Sequence, residues 1–109
     1  MELAFAQKSL RDICESQLKA ERTFGMKIAR NLRARLADLR GAQSAEDLIA
    51  GSPEVLDTKP PGRIAVTLGE HIFIIFCANH ESNPLKNNGE LDWSRVSRIK
   101  VLLIGAADE

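Results

Sequence analysis

Apolar and polar residues alternate at the start of the chain, in "ELAFA". This puts Leu3 and Phe5 on one face and predicts a short first strand. The period then changes. Leu10, Ile13, Cys14 and Leu18 recur at helical spacing and predict a helix over residues 8–20. Phe24, Ile28, Leu32 and Leu36 recur four apart, with Leu39 closing the stripe, and predict a longer helix over residues 22–40. Gly41 follows the basic Arg40 where a helix-capping glycine belongs. Thr23 and Gly25 are the candidate breaks between the two helices, and neither forces one.

"SAED", residues 44–47, has capping-box spacing and predicts a short helix to about Ala50. "GSP" and "KPPG" then punctuate the chain, and Pro60 and Pro61 exclude regular strand at their own positions. Residues 63–68 alternate, with Ile64, Val66 and Leu68 on one face. Gly69-Glu70 predicts a two-residue hairpin turn. His71 to Ala78 is apolar on both faces, as a central strand covered on both sides would be. A polar loop, long for a small domain, fills residues 79–92. "DWSRV" predicts one helical turn, and Arg98 to Ile104 a last strand with Ile99, Val101 and Leu103 toward the core.

The sum is an α+β domain: N-terminal helices packed as a hairpin on one face of a small, mostly antiparallel sheet. No repeat, low-complexity tract or linker divides it, so residues 1–109 read as one domain.

Composition adds one asymmetry. Residues 1–42 hold nine Lys/Arg against five Asp/Glu, a net +4. Residues 43–109 hold six against ten, a net −4. Such a chain can meet an anion with one surface and a basic partner with another. No apolar run approaches the roughly 20 residues that a membrane span needs. Glu2, Lys8, Arg11 and Asp12 interrupt any apolar signal core, so a cytoplasmic protein with two reduced, buried thiols, Cys14 and Cys77, is expected. The two cysteines and two histidines lack the paired spacing of a metal site, and neither metal nor cofactor is expected.

Three features are candidates for chemistry. Seven basic residues lie between Lys19 and Arg40, opposed by Glu21 and Asp38 alone. Arg22, Arg33 and Arg40 fall on one flank of the long helix, with Lys27 and Arg30 on its far side. The pattern suits a phosphate-contacting helix. It suits better a solvated face whose arginine stems cover apolar surface. No aromatic residue interleaves, so base stacking is not indicated. "KPPGR" brackets two prolines and a glycine with Lys59 and Arg63. It is either a turn entering a strand or a restrained pair of cations for phosphate. His71 and His80 flank the apolar strand, some 25 Å apart, too far to act as one acid–base pair.

"MELAFAQKSLRDIC", "FGMKIARNLRARLADLRGAQSAEDL", "GRIAVTL" and "LDWSRVSRIKVLLI" carry a resemblance to the RelE/ParE toxin superfamily, nearest to HigB-like plasmid-maintenance killer proteins. The resemblance implies the toxin of a type II toxin–antitoxin system: a ribosome-dependent mRNA endoribonuclease held by a cognate, HigA-like antitoxin. It also admits a catalytically silent relative that acts by protein binding, as gyrase-inhibiting ParE toxins do. A nucleic-acid-binding module unrelated to toxins is the third reading. By resemblance Arg63, His71 and Asp108 are the candidates for chemistry, and Arg22, Lys27, Arg30, Arg33, Arg40, Lys59 and Arg63 for nucleic acid. The family's usual groups are missing here. Phe73 stands where relatives carry arginine, the C-terminus reads "IGAADE" in place of a tyrosine- and histidine-bearing tail, and the chain has no tyrosine.

Overall fold

The first strand forms as its alternation predicts: β1 (Glu2–Phe5) sends Leu3 and Phe5 into the core. The computed structural model describes residues 1–106; Asp108 lies outside them. Three helices follow: α1 (Lys8–Glu15), α2 (Gln17–Phe24) and α3 (Met26–Gly41). The stretch expected as one helix over 8–20 breaks at Ser16. Its backbone is extended, and its hydroxyl oxygen accepts from the Lys19 N–H at 3.2 Å, starting α2. The longer helix begins at Met26, later than expected, because Gly25 takes φ +86° and donates its N–H to the Glu21 carbonyl, closing α2. α3 buries Ile28, Ala29, Leu32, Leu36 and Leu39 against the sheet. The Asn31 amide also donates to the Leu68 carbonyl at 2.7 Å.

The helix expected after Ser44 is a single turn of 3-10 helix, Ala45–Asp47. The Ser44 side chain is buried and caps nothing, so the capping box does not form. Next comes a strand that the sequence pattern did not reveal, β2 (Glu54–Asp57). β3 (Arg63–Gly69), β4 (Ile72–Ala78) and β5 (Arg98–Ala106) complete a five-stranded sheet in the order β1-β5-β4-β3-β2. β1 runs parallel to β5, and every other pair is antiparallel.

The β3–β4 turn falls one residue later than expected. Glu70 and His71 take φ 47° and 65°, the left-handed pair of a mirror-image type I turn. β5 carries a bulge at Leu102: Val101 opposes Phe76 while Leu103 opposes Ile75. The bulge turns Leu103 out and Ile104 in, reversing the face expected for Leu103. Helices cover one face of the sheet, where Ile64, Val66, Ile74, Phe76, Ile99 and Val101 join the core. β4 is the middle strand of five, so its neighbours shield Ile75 and Cys77 on the other face without a covering layer.

Loop 79–92 is tied down. His80 Nε2 accepts from the Ser97 and Arg98 N–H groups at 3.0 and 3.3 Å. Leu91 is buried, and its N–H donates to the Thr58 carbonyl at 3.0 Å. Trp93 follows in one turn of 3-10 helix and meets Phe76 edge-to-face, ring centroids 6.5 Å apart.

Candidate functional site

The uncovered face of the sheet holds every second residue of each strand, and the register sets them in rows. At one end Glu2 and Arg98 are paired in register, with their charged groups 3.7 Å apart. The next row runs Ala4, Lys100, Cys77, Arg63, Asp57: Ala4 opposes Lys100, Lys100 opposes Cys77, and Arg63 opposes Asp57. Arg63 lies beside Cys77, one step from the Ile64–Phe76 pair. Beyond this row the face becomes apolar, with Leu103, Ile75 and Ala65, and with Glu54 at its edge. Gly105, Phe73 and Thr67 form the far end.

Two strand spacings separate Lys100 and Arg63, about 10 Å between backbones. The small Cys77 side chain lies buried between them. Burial pushes its thiol pKa up, and the Lys100 ammonium on the neighbouring strand partly counters that. Neither Lys100, Arg63 nor Lys59 has a carboxylate within ion-pair distance among the described residues. Asp57 spends one oxygen on the Lys59 N–H at 3.0 Å. The row therefore offers two long cationic side chains over a low floor, with a carboxylate one strand beyond Arg63. An anion the size of a phosphate can bridge the cations there.

The other sequence candidates lie elsewhere. His71 is at the exposed hairpin tip, six residues along the strand from Cys77 and so about 20 Å from the Arg63 row. His80 is a structural acceptor. Arg22, Lys27, Arg30, Arg33 and Arg40 are exposed on α2 and α3, behind the core from the uncovered face. Arg33 donates to Gln17 at 3.0 Å. The expected nucleic-acid set thus divides, with Lys59 and Arg63 at the sheet and the rest on the helix layer.

Three residues of the face were not among the sequence candidates. Lys100 is the polar position between Ile99 and Val101, a signal present in the alternation. Glu54 and Asp57 depend on β2, whose four residues are too few for a period to stand out. Among the described residues no three of His, Cys, Asp or Glu gather as metal ligands would.

No protein-family model matches the chain, and no curated protein matches it. Its structure is similar to a chain of the YoeB–YefM complex from Staphylococcus aureus, with a TM-score of 0.58 and 11% identity, covering 99% of this chain and 98% of that one. The fold is the α+β arrangement of that chain, helices on one face of a mostly antiparallel sheet. At that identity the likeness speaks for the architecture alone. No helix is long and apolar enough to cross a membrane among the described residues.

Proposed function

We propose that this chain is a HigB/RelE-like toxin of a toxin–antitoxin pair, acting on messenger RNA through the uncovered sheet face. The observation that carries the reading is the Arg63–Cys77–Lys100 row, two unneutralised cations on a face that no layer covers. The end-to-end likeness to a chain of a toxin–antitoxin complex supports it. The partner is then an antitoxin, HigA-like by resemblance, and the site of action is cytoplasmic, on the ribosome.

The proposed chemistry uses the groups of this row. Arg63 and Lys100 hold the non-bridging oxygens of a phosphodiester. Asp57 takes the proton of the ribose 2′-hydroxyl as that oxygen bonds to phosphorus. The bond to the 5′-oxygen breaks, and Lys100 gives that oxygen a proton, leaving a cyclic phosphate and a free 5′-hydroxyl. His71 has no part in this arrangement.

A second reading is favoured by the far end of the same face. Gly105, Phe73 and Thr67 there supply neither acid, base nor cation. A toxin that acts by binding a protein, gyrase included, would use such an apolar surface.

Expression without an antitoxin should arrest growth, and primer extension on cellular transcripts should show new 5′ ends. Asp57→Asn should lower cleavage about 10²–10⁴-fold with RNA binding kept. Arrest without new 5′ ends would turn the assignment to protein binding, and unaffected growth would end both readings.

A further inference from the structure

The two edges of the sheet differ. β1 is guarded, because Leu3 and Phe5 pack against the core and the Arg11 guanidinium lies 5.2 Å over the Phe5 ring. β2 is the other edge. Outside its pairing with β3, no hydrogen bond between backbone groups reaches β2 among the described residues. Its apolar side chains are out: Val55 is 48% exposed and Leu56 40%, and Ile49, shortly before the strand, is 86% exposed.

The register gives this edge two chemically distinct sides. Val55 opposes Ile64, so it faces the helix side. There it lines a groove of about 220 Å³ with Ala45, Leu48, Pro53, Ile64 and Trp93. Glu54 and Asp57 oppose Ala65 and Arg63 on the uncovered side. Neither carboxylate has an ion-pair partner among the described residues, and nor has Glu46 at the groove. Exposed edges are commonly guarded by a lysine or proline, by other charges, by a bulge or by shortness. β2 has no lysine or proline within it, Pro53 preceding it and Lys59 and Pro60 following it, and its charges are the two carboxylates, which repel an acidic strand and admit a basic one. The bulge at Leu56 limits the free edge to a few residues.

We propose that the outer edge of β2 takes an extended segment of a partner protein as an added strand, with side chains alternating apolar and basic. Successive side chains of an added strand point to opposite faces. Those beside Val55 enter the groove toward Leu48 and Trp93, where apolar groups are favoured. Those beside Glu54 and Asp57 meet two unpaired carboxylates, where lysine or arginine is favoured. The edge shares Asp57 with the chemistry assigned to the Arg63–Lys100 row, while Glu54, Val55 and the groove lie outside it, so its test reads peptide binding rather than RNA cleavage.

The test uses the full chain and a short capped peptide alternating lysine and valine. Trp93 is the chain's one tryptophan and lines the groove, so its emission reports occupancy. The peptide should shift that emission and slow amide exchange across residues 54–57. A glutamate–valine peptide, and a peptide of the same lysines and valines in separate blocks, should do neither. Replacing Glu54→Lys and Asp57→Lys together should weaken binding about tenfold. Val55→Lys, at a half-exposed position that tolerates charge, should abolish the emission shift while the far-UV spectrum stays unchanged. Equal binding of the glutamate peptide or the block peptide would overturn the proposal, as would unprotected β2 amides at millimolar peptide. Protection of the same amides by self-association, without peptide, would make a second copy the occupant and overturn it too.

Discussion

Gly62 lies at the junction between the "KPPG" turn and β3, immediately before Arg63. Its φ is +71°, and a Cβ there would sit 2.6 Å from Trp93 Cζ2, 2.8 Å from Leu91 Cδ2 and 3.0 Å from Trp93 Cη2. Gly62→Ala therefore carries two penalties, left-handed backbone for a residue with a Cβ, and a methyl forced into a filled space. Gly89→Ala carries the first alone, since Gly89 has φ +87° and a Cβ added there would meet nothing within 4 Å. The backbone penalty is about 1–2 kcal/mol, common to both. The overpacking penalty is about 1–3 kcal/mol, and the Trp93 ring and buried Leu91 have little room to yield. The difference between the variants isolates the clash. For a chain of this size it should lower the Tm of Gly62→Ala by about 4–12 °C below that of Gly89→Ala. Thermal unfolding followed by far-UV circular dichroism measures it, with Trp93 emission as a second probe. Gly62→Ala should also weaken the proposed RNA binding, because Arg63 is the next residue. If the two variants melt within about 2 °C of each other, the close approach of Gly62 to Trp93 constrains nothing at this junction.

Glu70 and His71 hold left-handed backbone that Asn-Gly adopts more readily, so Glu70→Asn with His71→Gly should raise stability by about 1–2 kcal/mol, read as a higher urea midpoint at unchanged m. Because this variant also removes His71, unchanged RNA cleavage would confirm that the hairpin tip stands outside the reaction. His80→Ala should cost about 1 kcal/mol and speed amide exchange at Ser97 and Arg98, which lose their shared acceptor; unchanged exchange at both would refute the latch. Burial pushes the Cys14 thiol pKa up to about 11, with Arg40 countering in part. The protonated thiol is the form the fold favours, so its contribution is intact below the ordinary thiol value of 9.0 and is lost as pH rises through about 11. Cys14→Ala should flatten the alkaline side of the stability profile, and alkylation of native Cys14 at pH 8 should be slow; fast alkylation would show that the thiol is not shielded as described.

The long periodic segments were legible in the sequence. The α3 stripe and the β3 and β4 patterns are set by burial, and burial is what periodicity records. Interruptions were not. Ser16 ends α1 through its extended backbone and starts α2 through its hydroxyl, Gly25 ends α2 through its φ, and neither changes the apolar pattern that ran through them. The bulge at Leu102 inverted the faces of Leu103 and Ile104 because alternation counts residues, and the bulge adds one to a single strand. β2 was hidden for a different reason: Val55 and Leu56 are half-exposed, so no face of that strand is buried enough to show a period. Of the proposed site, Arg63 stood out in the sequence as a candidate, while its neighbours Lys100 and Asp57 needed the strand order, which joins residues 43 positions apart.

The helix layer and the uncovered sheet face stand back to back, with the core between them. A small molecule on Arg22, Lys27 and Arg30 does not overlap one on Arg63 and Lys100, so two small ligands do not compete for space. Ternary assembly is therefore sterically permitted, and the surplus positive charge of the first 42 residues can steer one partner while the sheet face engages another. Any dependence of one affinity on the other must pass through the packed contacts of α3 with β3, where Asn31 holds the Leu68 carbonyl. Absent a second arrangement of those contacts, the two binding free energies add.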